Sequence, residues 1–252
     1  MSAPSPSISF VIFALALISA PLVHAQQAAP TAPAPSSSLT SPPEAAQKLI
    51  ASAIQKMGAD NVDGALSDLS QALKLNPSST GAYVLRASIY CQRKQWPLAE
   101  ADFNAAAKIA PNNTVLKFNQ VEVHFLQKQY DQARPGFVAL EKDPENGDLA
   151  SYKVFLCDLF GGHEDVAKKE LAAFTDSMDN ASCEFSNAAW QLVHKNIEGP
   201  EGARYWLLRA SHIYPPQKIA LYAQSLHDLG YLPIANPVAP GEAPSGAAST
   251  QN

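Results

Sequence analysis

Alanine recurs at a fixed step along this chain, with Ala65, Ala99, Ala133 and Ala167 each thirty-four residues after the last. Neighbouring positions keep the same step. Leu69, Phe103, Phe137 and Leu171 each follow their alanine by four residues, Ala72 and Ala106 by seven, and Pro77 and Pro111 by twelve. A fifth copy, Ala203, Leu207, Ala210 and Pro215, holds the internal spacing but arrives two residues late. Apolar residues at i, i+4 and i+7 place one face of a helix, and their return at a fixed period makes the helix part of a repeating unit. Alanine where two antiparallel helices cross lets the backbones approach. A Phe or Leu one turn later fills the remaining gap, and a proline beyond the helix stops it. A single unit of this kind cannot bury its apolar face, so the copies must stack.

The stretch from Tyr83 to Pro111 shows the full unit: one helix, a short break, and a second helix that ends before a proline. Second helices are expected to begin at Asp63, Pro97, Asp131, Asp165 and Pro200, residues suited to a helix start by capping, by dipole compensation or by a preset φ. In the first helices Tyr83, Ala87 and Tyr90 mark the second copy, and Leu49 and Ala53 the first. This pattern resembles the tetratricopeptide repeat, whose second helix reads A-x3-F…P. Three residues depart from it: Val121 and Phe155 stand where a small residue belongs, and Pro144 comes one residue early. The resemblance implies an all-α fold, a right-handed superhelical solenoid of about five repeats. Their boundaries are near 46–79, 80–113, 114–147, 148–183 and 184–217. A capping helix over 217–230 follows, with Gly230 at its C-terminus.

The repeats occupy 44–235, and the ends of the chain have a different composition. Ile8 to Ala20 is an apolar run, followed by Pro21 and by small or short residues at Val23 and Ala25, which together predict a signal peptide over 1–25 cleaved after Ala25. The run is short for a bilayer span, so no stable membrane anchor is expected after cleavage. Residues 26–43 contain no charge until the helix begins and are rich in Pro, Ala and Ser; they are expected to be a disordered tether, and 236–252 a disordered tail of the same character. An exported, periplasmic or secreted protein is the implication.

No constellation of catalytic or metal-binding residues emerges. His163 in "HED" has no second histidine at zinc spacing, and the remaining histidines are scattered singly along helices. Neither a phosphate-cradling glycine loop nor a nucleophile elbow occurs. No cofactor and no metal are expected. Eighteen basic residues against 23 acidic ones, a net charge of −5 and no basic run argue against nucleic acid. Of Cys91, Cys157 and Cys183, only Cys157 with Cys183 makes a plausible internal pair, and the plainer reading is three small apolar core residues.

In the resembled family the inner groove is lined by set positions of each first helix. Carried over, these are Val84, Ser88 and Cys91 in the second copy, Val115, Phe118, Glu122 and Phe125 in the third, and Leu149, Tyr152, Leu156 and Leu159 in the fourth. Such a surface suits a peptide with hydrophobic anchors, although the same aromatics would serve equally as core. The carboxylate clamp of chaperone-binding members finds only Asn119 and Lys153 in place, so that specialisation is not expected. The function implied is a non-catalytic scaffold for a protein or peptide partner. A self-assembling envelope protein and an enzyme acting on envelope polymers are the alternatives.

Overall fold

The computed structural model describes residues 42–175, 180–198 and 200–232. The regions expected to be signal peptide and C-terminal tail, and most of the expected tether, lie outside the described residues. Eleven α-helices and no strand are found among those described. They fall into two compact units divided between Asn146 and Gly147.

The first unit holds α1 (Pro42–Gly58), α2 (Val62–Leu75), α3 (Thr80–Gln92), α4 (Trp96–Ile109), α5 (Thr114–Leu126) and α6 (Tyr130–Val138). Consecutive helices pack pairwise. The second unit holds α7 (Gly147–Gly161), α8 (Glu164–Thr175), α9 (Ala181–Val193), α10 (Ala203–Ile213) and α11 (Pro216–Asp228). There α9 touches α7, α8, α10 and α11.

The alanine register explains the packing. Ala65, Ala99, Ala133 and Ala167 are all fully buried, as are Ala53 and Ala87 on the facing first helices. In the third hairpin Val121 takes the place of the small residue on α5, and the compensation comes from α6. A Cβ on Gly136 would stand 2.4 Å from Val121 Cγ2, so glycine is what lets this pair close up.

The five turns inside the hairpins share one backbone device. Asp60, Lys94, Lys128, Gly162 and Lys195 all adopt a left-handed conformation, with φ of 60°, 55°, 61°, 88° and 59°. In each case the next residue's N–H reaches back to a carbonyl in the last turn of the helix. The distances are 2.8 Å for Asn61 to Lys56, 2.8 Å for Gln95 to Tyr90, and 2.9 Å for Gln129 to His124, His163 to Asp158 and Asn196 to Gln191. This Schellman closure satisfies carbonyls that the helix end would leave orphaned. Gly230 (φ +85°) ends α11 in the same manner, with the Tyr231 N–H on Leu226 O at 2.8 Å.

Two expected helix starts are corrected. α1 begins at Pro42, within the segment assigned to the tether. α10 begins at Ala203 instead of Pro200. A longer connection precedes it, with a second left-handed residue at Glu201 (φ 61°) whose carbonyl accepts the Trp206 indole N–H at 2.9 Å. That bond turns Trp206 inward, so it fills the gap expected of Leu207, which is only half-buried. All three cysteines are free and buried, which excludes the Cys157–Cys183 bridge from this structure.

Candidate functional site

Most of the residues carried over as groove lining are core side chains. In the first unit Val84, Phe118 and Phe125 are buried, and Val115 is half-buried. The Phe118 ring lies 5.1 Å from that of Phe137, and Phe125 packs 5.5 Å from Tyr130 and 6.2 Å from Phe137. In the second unit Leu149, Tyr152, Leu156 and Leu159 are buried, with Tyr152 set 5.3 Å from Tyr222 and 6.2 Å from Phe185. The reason is the same in both units. The first helix of a hairpin is covered on more than one side, and large rings are drawn to the positions where they lose most surface. A ring with no exposed surface does not meet a partner, so Phe118, Phe125 and Tyr152 are corrected from ligand anchors to core. Lys153 is buried as well.

Three of the expected residues do come together at a surface. Ser88 and Cys91 on α3 and Glu122 on α5 line a small hollow with Phe103, Asn119, Val123 and Leu126. Its volume, about 20 Å³, admits one small polar group and no ring. The Ser88 hydroxyl is already committed, donating to Val84 O at 2.9 Å within its own helix. Burial, then the Glu122 and Glu100 charges, push the Cys91 thiol up to about 12, so it is no nucleophile near neutral pH. Asn119 behaves differently. Its side chain is 4% exposed, and its Nδ2 has no hydrogen-bond partner among the described residues. A buried donor left unmade costs about 1–3 kcal/mol.

Chemistry of other kinds finds little support. Among the described residues no three His, Cys, Asp or Glu side chains stand together as metal ligands. His163 directly precedes α8, with Nδ1 3.3 Å from Asp158 Oδ1, and His194 stacks on Trp190 at 4.3 Å. No described helix is long and apolar enough to cross a membrane.

Comparison with known proteins then bears on the repeats directly. A tetratricopeptide-repeat family model matches residues 50–114, the span from α1 to the start of α5. Residues 50–114 carry the tetratricopeptide-repeat pattern. Among solved structures it is similar to pilF of Pseudomonas aeruginosa, at 16% identity and a TM-score of 0.50 over 76% of this chain and 89% of that one. It is also similar to YrrB, a TPR protein with an unusual peptide-binding site, at 24% identity and a TM-score of 0.45 over 72% and 92%. The pilF likeness supports the all-α helical-repeat fold. No curated protein matches the sequence. Tetratricopeptide repeats in general act as scaffolds for protein partners without catalysing a reaction.

The hollow mixes what the sequence reveals with what it hides. The family positions point to Ser88, Cys91 and Glu122, and the clamp pattern to Asn119. Phe103, on a second helix, carries only the signal of repeat core. Only the fold shows that Asn119 is buried with an unspent donor.

Proposed function

We propose that this protein is a non-catalytic adaptor that holds an extended segment of a protein partner across α3 and α5 of the first unit. The observation that carries this reading is the unspent Nδ2 donor of Asn119 beside a hollow the size of one carbonyl oxygen. A partner's backbone carbonyl seated there would recover the desolvation cost that Asn119 bears in the free protein. Recognition through the main chain suits a site too small for a side-chain anchor. Export belongs to the same proposal. Its support is the apolar run of Ile8 to Ala20 and the small residues before Gln26, so the adaptor would work in a periplasmic or extracellular space.

The test begins with peptides selected from a random library on the intact chain. Asn119→Leu keeps the side-chain volume and removes the donor. Affinity should fall by about 1–3 kcal/mol, the worth of one buried hydrogen bond left unmade, while the melting temperature stays level or rises. Selected peptides that bind the variant as tightly as the parent would overturn the site.

A further inference from the structure

The third hairpin departs from the first two at one spot. In the second hairpin Asp102 on α4 takes a two-point contact from Arg86, with Nε on Oδ2 and Nη2 on Oδ1, both at 2.7 Å. The Arg86 guanidinium also reaches Ser70 Oγ at 3.2 Å and lies 5.9 Å over the Tyr83 ring. One repeat earlier the carboxylate is Asp68, whose Oδ2 accepts from Ser52 at 2.7 Å and from Lys56 at 2.6 Å. One repeat later the sequence puts Lys117 for Tyr83, Gln120 for Arg86 and Gly136 for Asp102. The carboxylate is gone, and so are the two large groups around it.

What remains is an open hollow of about 590 Å³, within the range of ligand sites and some thirty times the Asn119 hollow. Val121, Gly136, Ala139 and Leu140 form its apolar floor. Lys117 and Lys142 stand at its rim, both exposed, and neither has an ion-pair partner among the described residues. Gln120 is held away, donating to Asn104 Oδ1 at 2.7 Å. The one acid in its lining, Asp143, is engaged by the Thr114 hydroxyl and by its own turn: Oδ1 collects the Asn146 N–H at 2.8 Å, Asn146 Nδ2 at 3.0 Å and the Glu145 N–H at 3.2 Å.

We propose that this hollow is a second docking site, which takes a carboxylate side chain from an acidic, partly apolar peptide segment of a partner. The two earlier hairpins hold an internal carboxylate at this position; in the third Val121 fills that room against Gly136, so the pair of helices carries no internal acid there, and two uncommitted cations stand beside the open hollow. The aliphatic floor takes the neighbouring apolar residue of the segment, and the lysines neutralise its acid. The site is formed by α5, α6 and the turn after them, and it does not depend on the Asn119 hollow.

The probe is a short capped peptide of alternating leucine and glutamate carrying fluorescein, read by anisotropy on the full chain, with the glutamine analogue as its neutral counterpart. Binding should weaken roughly tenfold or more in Lys117→Glu/Lys142→Glu, and similarly for the glutamine peptide. Those two lysines are exposed, so the fold is unaffected. Gly136→Asp with Val121→Ala restores the second hairpin's internal acid, puts a like charge beside the hollow and should weaken binding to a similar degree. Absence of binding to the parent chain, or equal binding by the glutamine peptide or the charge-reversed variant, would overturn the proposal. Binding lost in Asn119→Leu and kept in the lysine variant would also overturn it, while leaving the adaptor reading intact.

Discussion

Gly136→Ala offers a sign reversal that can be worked out from the structure. In an ordinary helix the change stabilises by about 0.5–1 kcal/mol, because alanine loses less chain entropy on folding. Gly136 lies in the last turn of α6, so the lower figure applies. Against it stand Val121 Cγ2 at 2.4 Å and Cγ1 at 2.9 Å from the new methyl group, a separation that real Cβ atoms do not show. Pushing α6 off α5 is overpacking, which costs about 1–3 kcal/mol. Overpacking wins, and the single variant should lose about 0.5–2.5 kcal/mol net. In a Val121→Ala background the obstacle is absent, and the same change should gain about 0.5 kcal/mol. The coupling between the two sites should therefore be about 1–3 kcal/mol, inside the usual range of about 0.5–3 kcal/mol for contacting residues. Native-state hydrogen exchange of the α5 and α6 amides reads this locally, without assuming that both units unfold together. If Gly136→Ala stabilises the parent, or costs the same in both backgrounds, the close approach of these helices is not what glycine serves.

Phe118→Ala and Tyr152→Ala should each destabilise their unit by about 3–5 kcal/mol, as truncation of a fully buried ring does; chemical denaturation checks this, and near-neutral values would return those rings to a binding surface. Burial pushes the Glu184 carboxyl above its ordinary 4.5, with the Arg209 Nε at 3.5 Å opposing the shift. A raised acid binds its proton more tightly in the folded state, so its contribution is fullest below 4.5 and is lost as pH rises through the folded value. Glu184→Gln should therefore raise the second unit's melting temperature more at neutral pH than at pH 4.5. Lys94→Gly and Lys128→Gly should stabilise by up to about 1 kcal/mol by removing the strain of a left-handed non-glycine residue, whereas valine at either position should destabilise.

The repeat was legible because it rests on volume. Ala65, Ala99, Ala133 and Ala167 announce a close helix crossing wherever they stand, and no tertiary context changes that requirement. The turns were hidden because Asp60, Lys94, Lys128 and Lys195 carry no glycine signal, and the left-handed conformation follows from how the two helices must meet. The groove failed at Phe118, Phe125 and Tyr152 for a different reason. A helix face inferred from family positions says which way a residue points, and it does not say whether a neighbour such as Phe137 or Tyr222 already occupies that direction. The break after Asn146 was likewise invisible, since the alanine step runs through it unchanged to Ala167.

The most direct measurement is the side-chain amide signal of Asn119 in a ¹H–¹⁵N spectrum, assigned by its disappearance in Asn119→Leu and followed while a selected peptide is added to the intact chain. A donor with no partner in the free protein should move downfield as it finds a carbonyl, saturating at the same concentration as the backbone shifts of α3 and α5. An Asn119 signal that stays fixed while the peptide saturates elsewhere would contradict a site built on that donor.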